Sequence, residues 1–390
     1  MARLGHGSIR WQRPERSRAA SSCVALAAVL VGCADPPERE LPDPPDGAEL
    51  VLEIGELEVY KAFDGELCAG TLRRIELHAN GLADLFDMDP PRARVFLYDD
   101  VDAVDEVCHF NVETHGCADW WGTNALPDVV THELVHVFVN AATGVRTRPA
   151  IQEGVAWALQ GDWLVPGRSA LTYEQLEALL AVDSPFDVAE AGGGAHFFAW
   201  AIDRFGAAAV LDAHAATATA NSDQEVESAL AGNFGFDSLP SLYAEYVATR
   251  ALEYPPIMDL AVVLTGEELA AGTTLDTSCA GAATEGPTNG EITTRVLLEV
   301  AGPGEYGIEY RPLPPCPPRW RSTEPVFDRP DDELQVAEMC AFDQDPPHVV
   351  FHLSGHYEIS FGDVWCPAVP PAQVTLSSRF LNGGDECTAP

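Results

Sequence analysis

The chain has 390 residues, of which 46% are hydrophobic and 8% aromatic, and its formal net charge is −39. This apolar content is enough for a sizeable core, so it excludes a chain that is disordered throughout. The charge argues against partners bound through phosphate contacts, and we expect no nucleic-acid partner. The length favours two domains.

The first 32 residues are typical of an export signal. Basic residues precede a short apolar stretch, Cys23 to Val31, which cannot span a bilayer as a permanent helix. The stretch ends in LVGC at 30–33, which resembles the lipobox of bacterial lipoproteins. We predict a signal peptide over 1–32, a lipid on Cys33 that anchors the chain to the membrane of the cell envelope, and, because Ala34 rather than Asp follows, the outer membrane of a Gram-negative bacterium. An ordinary signal peptide with an incidental Cys33 is the alternative.

Residues 33–48 are acidic and rich in Pro, which predicts an extended tether. Beyond Cys33 the chain retains eight Cys residues, and an even number in an exported chain predicts disulfides. Three of them precede residue 120 and five follow residue 270, so complete pairing needs at least one bridge between the two halves. Cys108 and Cys117 are the favoured local pair, and the other connectivities stay open.

From residue 49 the chain alternates between strand and helix patterns. The predicted elements are strands over 49–54 and 57–63, a helix over 69–88, a strand over 93–98, a short helix over 101–107 and a helix from Pro127 to Ala142 that stops at Gly144. Residues 149–252 are predicted to be mostly helical, with capping boxes at Thr172 and Ser222 and a helix over 196–205. Pro255-Pro256 marks a boundary.

Residues 255–390 differ in character, with five Cys, many Pro and alternating β-prone runs. The clearest runs are TRVLLEVA, EYGIEYR, HVVFHLS, HYEISFG and QVTLSSRF. They predict a compact all-β domain, sandwich-like and stapled by disulfides.

The sharpest chemical signal is the H-E-x-x-H sequence His132-Glu133-Leu134-Val135-His136. Two His residues four apart share one face of a helix, so both imidazoles can reach one Zn²⁺, and Glu133 beside them can accept a proton from water on the metal. The surrounding helix is apolar almost all round, which predicts burial, and buried charges need a partner or a metal. A purely structural role for the two His residues would leave Glu133 unexplained.

Catalytic zinc needs a third protein ligand and an open position. The continuation H-x-x-G-x-x-H is absent, because Val139 and Ala142 occupy the Gly and His positions. Glu153 lies 17 residues after His136 in a predicted helix whose other residues are largely apolar. A carboxylate in that setting fits a metal ligand better than a surface charge.

H-E-x-x-H followed by a helix with E-G-x-A at 153–156 resembles the gluzincin branch of zinc metallopeptidases. The resemblance covers about residues 49–252, and the segment 191–206 is similar to a further helix of those domains. It implies an α+β, gluzincin/thermolysin-like domain over 49–254, with a small mixed sheet and a helical subdomain. It also implies that His132, His136 and Glu153 are zinc ligands, that Glu133 is the general base, and that zinc-activated water hydrolyses peptide bonds.

The chain departs from the gluzincin pattern near the predicted oxyanion site. Many relatives place a Tyr there, just before the helix similar to 191–206, and it is missing here; His196 is a substitute or simply a packed His. Residues 122–124 are either an edge strand that pairs with an extended substrate or a turn. His109 and His115 are exposed loop residues or ligands of a second metal.

Two functions compete on these residues. The first is a lipid-anchored zinc metallopeptidase acting on a peptide or protein substrate. An endopeptidase is favoured, because the acidic loop with which aminopeptidases of this branch anchor the substrate amine is not found before His132. The second is a non-catalytic, gluzincin-like binding lipoprotein that uses its β domain for partner contact. The intact Glu133 favours the first, and the missing Tyr favours the second.

Overall fold

The structure is a computed structural model that describes residues 41–109, 115–160, 171–182, 193–249, 263–265, 268, 271–300 and the strand segments 306–311, 319–322, 337–340, 348–351, 355–361 and 373–380. The predicted signal peptide and most of the tether lie outside these residues. Within them, no helix combines the length and the apolar character needed to cross a membrane. The described part is a mixed α+β structure, as the sequence predicts.

The first sheet is formed by strands that come before the H-E-x-x-H helix in the chain. Its strand order is β1-β2-β3-β5-β4. Its strands are β1 (Glu49–Ile54), β2 (Leu57–Lys61), β3 (Ala93–Leu97), β4 (Gly116–Ala118) and β5 (Gly122–Ala125). β2, β3 and β5 are parallel, whereas β4 runs antiparallel to β5 at the end of the sheet. Residues 122–124 therefore form a strand, but the interpretation of that strand as the edge is wrong because β4 covers it.

The helices follow the predicted order closely. They are α1 (Ala69–Phe86), α2 (Val101–Cys108), α3 (Val130–Thr143), α4 (Pro149–Leu159), α5 (Tyr173–Leu180), α6 (Gly193–Phe205), α7 (Ala207–Thr217), α8 (Asp223–Asn233) and α9 (Leu239–Thr249). α3 begins later than the predicted start at Pro127, because residues 127–129 form a turn that precedes the helix. It ends at the predicted stop, where the N–H of Gly144 donates to the carbonyl of Asn140.

Side-chain caps set the starts of α5 and α8. Thr172 and Gln175 bond to each other's backbone N–H groups, so the predicted capping box at α5 is confirmed. Ser222 accepts from the N–H of Glu225 in the same way, but the Glu225 carboxylate accepts from the N–H of Asn221. The second cap therefore reaches one residue further back than a capping box does, while still satisfying N–H groups that the helix leaves free.

α3 is buried, as its apolar sequence predicts. It contacts α1, α4, α7, β4 and β5, so it is enclosed by neighbours from both the sheet and the helical region. Its side chains at Leu134, Val137 and Phe138 have no exposed surface. Full burial of each such side chain stabilises the fold by about 1.5–3 kcal/mol. The helix that carries H-E-x-x-H is therefore a central element of the core.

The region after residue 262 is dominated by strands in its described part. They are β6 (Val263–Leu264), β7 (Thr273–Asp276), β8 (Thr284–Thr288), β9 (Glu291–Val300), β10 (Tyr306–Arg311), β11 (Arg319–Ser322), β12 (Ala337–Cys340), β13 (His348–Phe351), β14 (Gly355–Phe361) and β15 (Gln373–Phe380). They form one sheet with the order β12-β13-β10-β15-β7 and another with the order β11-β14-β9-β6, in which β8 also pairs with β9. All five β-prone runs noted in the sequence are confirmed as strands.

The hairpin β8–β9 is joined to the start of α1. Cys68, which precedes α1, forms a disulfide with Cys279, and its N–H donates to the carbonyl of Gly286 at 3.0 Å. The expected bridge between the two halves is thereby confirmed, and so is the local pair Cys108–Cys117. The side chains of the other four Cys residues of the predicted mature chain lie outside the described part.

A buried ionic network continues this contact toward α3. The Arg74 side chain on α1 is 1% exposed and donates to Glu285 Oε2 at 3.0 Å and to Thr131 Oγ1 at 2.9 Å. Arg295 on β9 approaches the same carboxylate oxygen at 3.6 Å. Glu285 on β8 is thus connected, through one guanidinium, to the first turn of the helix that carries the candidate metal ligands.

Candidate metal centre

Three of the sequence-predicted site residues converge at one point between α3 and α4. His132 Nε2 and His136 Nε2 are 3.2 Å apart. The Glu153 carboxylate meets both rings, with Oε2 at 3.1 Å from His132 Nε2 and Oε1 at 3.4 Å from His136 Nε2. Among the described residues these three are the group of His, Cys, Asp or Glu side chains that could hold a metal ion.

The local sequence explains why these side chains meet. The four-residue spacing places both imidazoles on the same face of α3. α4 begins at Pro149, a residue favoured at a first helical position, and it packs on α3 with Glu153 facing the rings. Gly154 lets α4 approach α6 closely, because a Cβ atom there would lie 2.5 Å from ring carbons of Phe198. The Gly after the ligand therefore helps to set the position of Glu153.

The positive and negative groups of the centre stabilise each other. Burial alone would raise the pKa of Glu153, but the charge of His136 and the hydrogen bonds from both rings outweigh it and hold that pKa well below its usual range. Burial alone would lower the pKa of His132, and Glu153 reverses that effect. The carboxylate therefore favours positive charge at the point where the two rings meet.

Gln160 orients the imidazole of His132, a contact that no pattern in the sequence indicates. Its Oε1 lies 3.0 Å from His132 Nδ1. An amide oxygen only accepts, so Nδ1 is the donor and the lone pair of the neutral ring is on Nε2, toward Glu153 and His136. The Trp157 ring packs on the same imidazole, with ring centres 4.9 Å apart. Contacts of this kind fix the tautomer and direction of a metal-binding His.

We expect Gln160→Ala to weaken the affinity for Zn²⁺ by about tenfold or more, because His132 would lose the partner that fixes its orientation. Gln152→Ala, at a partly exposed position of α4, is the matched control and should leave the affinity for Zn²⁺ unchanged. Competition against a chelator of known affinity measures both variants. Equal affinities for the two variants would contradict the role assigned to Gln160.

Glu133 lies beside the ligands without joining them. It is buried, and burial raises the pKa of its carboxyl, although the charges of His132 and His136 act in the opposite direction. The backbone of β4 passes directly over it, because a Cβ atom at Gly116 would lie 2.8 Å from Glu133 Oε1. A larger residue at position 116 would therefore force the Glu133 side chain to move.

The other histidines considered from the sequence make their contacts outside this metal centre. His196 is buried, and its Nδ1 lies 2.6 Å from the hydroxyl of Tyr246, so the interpretation of His196 as a packed residue is favoured. His115 is exposed and lies 3.5 Å from Asp128, and His109 is the residue that caps the C-terminal end of α2. Neither belongs to a metal-binding group among the residues that the structure describes.

His214 is an unexpected feature of the core next to α3. It lies on α7 and is completely buried, and neither ring nitrogen has a hydrogen-bond partner in the described part of the chain. Burial lowers the pKa of His214 to about 4, and the charge of His136 acts in the same direction. Protonation of this ring therefore opposes folding.

We expect metal-free protein to lose stability through His214 as the pH falls from 6.5 toward 4. In the unfolded chain the pKa of this side chain is about 6.5, whereas in the folded chain it is about 4. The stability that depends on the neutral ring is therefore fully present above pH 6.5 and is lost as the pH falls toward 4. Urea unfolding with chelator present, at pH 7 and pH 4.5, should show a loss about 2–3 kcal/mol larger in the wild type than in His214→Leu. Equal losses would show that His214 does not titrate in this way.

Compared with protein-family models and with curated proteins, the chain matches none of them. Its function is therefore argued from the geometry of the centre and from the sequence.

Proposed function

We propose that this chain is a zinc-dependent metallopeptidase, lipid-anchored in the cell envelope. The observation that carries the proposal is the convergence of His132, His136 and Glu153, with the buried Glu133 beside them on α3. Two imidazoles and one carboxylate are the protein ligands of a catalytic zinc site, in which the fourth position stays open for water or substrate.

The distances between the donor atoms support zinc. The corners of a tetrahedron whose metal–ligand distances are about 2.0–2.1 Å lie about 3.3–3.4 Å apart. The two imidazole nitrogens are 3.2 Å apart, and the Glu153 carboxylate approaches that of His132 to 3.1 Å through Oε2 and that of His136 to 3.4 Å through Oε1. Magnesium and calcium prefer oxygen ligands, so the pair of imidazoles argues against them.

The residues around the centre fit hydrolysis of a peptide bond. Zinc, when bound, supplies a Lewis acid that polarises a carbonyl group and lowers the pKa of water. Glu133 is the general base in this proposal, because its carboxylate lies next to the ligands without being one.

The finer assignments rest on the sequence. The H-E-x-x-H and E-G-x-A pattern supports a gluzincin-like domain over 49–254, and the β-prone runs support a sandwich-like domain over 255–390. The lipobox-like residues 30–33 support attachment through Cys33. An endopeptidase is proposed because no acidic loop that would anchor a substrate amine precedes His132.

The metal content and activity of the purified full-length protein test this proposal. We expect one zinc per chain, much weaker retention in Glu153→Ala, and cleavage of an unfolded protein substrate that a chelator abolishes. One zinc without cleavage of any substrate would favour the alternative, a non-catalytic binding lipoprotein. Folded wild-type protein that binds no zinc would overturn the proposal.

A further inference from the structure

Residues 279–289, which we call the strap, cap the start of α1. Cys279 is joined by the disulfide to Cys68, the residue that precedes the helix, and its carbonyl accepts from the N–H of Ala69 at 2.9 Å. The carbonyl of Gly286 accepts from the N–H of Cys68 at 3.0 Å. The N–H groups at the start of a helix need partners from outside the helix, and the strap supplies two of them.

The far end of the strap is held as well. Asn289 donates its N–H to the carbonyl of Asp99, and its side-chain oxygen accepts from the N–H of Val101 in the first turn of α2 at 3.2 Å. Between these ends the strap lies directly on α1, because a Cβ atom at Gly70 would be 2.4 Å from the carbonyl oxygen of Thr284. The strap therefore reaches from the start of α1 to the start of α2.

Buried hydrogen bonds connect the strap to the metal centre. Glu285 of the strap accepts from Arg74 at 3.0 Å, and Arg74 donates to Thr131 at 2.9 Å. All three residues are buried. Thr131 directly precedes His132, whose Nε2 lies 3.1 Å from the Glu153 carboxylate. A strap that leaves α1 would take the carboxylate away from a buried guanidinium, and the uncompensated charge would disturb the first turn of α3.

The disulfide can be reached by a reductant from one side. Cys279 is partly exposed, whereas Cys68 has no exposed surface. A dithiol opens the bond in two exchanges: its first thiolate attacks the Cys279 sulfur and displaces the Cys68 thiolate, and its second thiolate then displaces Cys279. The dithiol becomes a disulfide, and its two protons pass to the two cysteines. An oxidant that carries a disulfide reverses the reaction.

We propose that the Cys68–Cys279 disulfide is a redox switch for the metal centre. The closed bond holds the strap on α1 and supports tight binding of Zn²⁺. Once the bond is open, docking of the strap must close a loop across 211 residues by weak contacts alone, so the strap is released more easily and the binding weakens. This inference rests on the metal centre of the proposed function but not on cleavage of peptides.

The switch would link the metal affinity to the predicted export. Thiols stay reduced in the cytosol, whereas disulfides form in exported chains. The centre would therefore gain its full affinity for Zn²⁺ only outside the cytoplasm.

The affinity of the full-length protein for Zn²⁺, measured by chelator competition before and after reduction with a phosphine, tests the proposal. We expect reduction to weaken the binding about tenfold, within the usual range for coupled sites. Alkylation followed by mass spectrometry identifies the cysteines that have opened, and the loss of affinity should follow Cys68 and Cys279. By linkage, bound zinc should shift the equilibrium of this disulfide with a dithiol buffer toward the oxidised form by the same factor.

Two double variants are the controls. Cys108→Ser/Cys117→Ser lacks the other described disulfide and should keep the tenfold response to reduction. Cys68→Ser/Cys279→Ser should bind zinc weakly and show no response. If this variant does not fold, the alkylation of the wild type decides between the cysteines.

Three outcomes would overturn the proposal. They are an unchanged affinity in wild type whose Cys68 and Cys279 are alkylated, a response that persists in Cys68→Ser/Cys279→Ser, and a loss of zinc that occurs only with global unfolding in circular dichroism. Oxidised wild type that binds no zinc would instead contradict the metal centre itself, and with it the proposed function.

Discussion

Replacing Glu133 by Gln should lower kcat by about 10²–10⁴-fold while the protein keeps its zinc. The amide has the size of the carboxylate, so it fits under Gly116, but it cannot accept a proton. The metal should stay because the converging ligand atoms come from His132, His136 and Glu153 and not from Glu133. Steady-state cleavage and metal analysis of the same preparation measure the two quantities.

The exposed Glu177→Gln on α5 is the control for loss of one negative charge. Loss of zinc in Glu133→Gln would instead indicate that Glu133 supports the metal. An unchanged kcat with one zinc bound would exclude Glu133 as the base.

Replacing Glu285 by Gln should reduce the free energy of unfolding by about 3–5 kcal/mol. The carboxylate is buried between Arg74 and Arg295, and its neutralisation leaves two buried guanidinium groups without its negative charge. The metal affinity should fall as well, because Arg74 also bonds Thr131 at the start of α3. Urea unfolding and a zinc titration measure the two effects.

Glu76→Gln is the matched control, since it removes the acidic partner of Arg73 from an exposed ion pair on α1, the helix that carries Arg74. Exposed pairs contribute about 0–1 kcal/mol, so this variant should unfold almost like the wild type. A loss in Glu285→Gln no larger than in Glu76→Gln would show that the buried network does not stabilise the fold.

The elements and ligands set by local sequence could be predicted. The apolar surroundings and the spacing of His132 and His136 depend on one helix, and Glu153 follows on the next helix along the chain. Short separations of this kind leave little freedom for the chain to place the groups apart. The convergence of the three residues therefore followed from patterns within a segment of about two dozen residues.

Features that depend on the path of the chain between elements could not be predicted. Gln160 lies just beyond the end of α4, so its direction depends on how that helix ends. The contact of Gly116 with Glu133 requires β4, whose three residues are too few for a recognisable pattern. Glu285 meets Arg74 across 211 residues, a separation at which the sequence carries no signal for pairing.

One of the two disulfides could be predicted from local sequence and the other could not. The odd number in each half required a bridge between the halves, but the choice of Cys279 for Cys68 depends on tertiary contacts alone. Cys108 and Cys117 are nine residues apart and were the pair that proximity favoured.

The bridge from Cys68 to Cys279 has a consequence for biosynthesis. The ribosome makes Cys68 first, and its partner follows 211 residues later, after Cys108 and Cys117 have already been synthesised. A chain oxidised in order of synthesis would join Cys68 to one of these nearer thiols. Correct pairing therefore requires Cys68 to remain reduced until Cys279 has been made, or a mispaired bond to be exchanged afterwards.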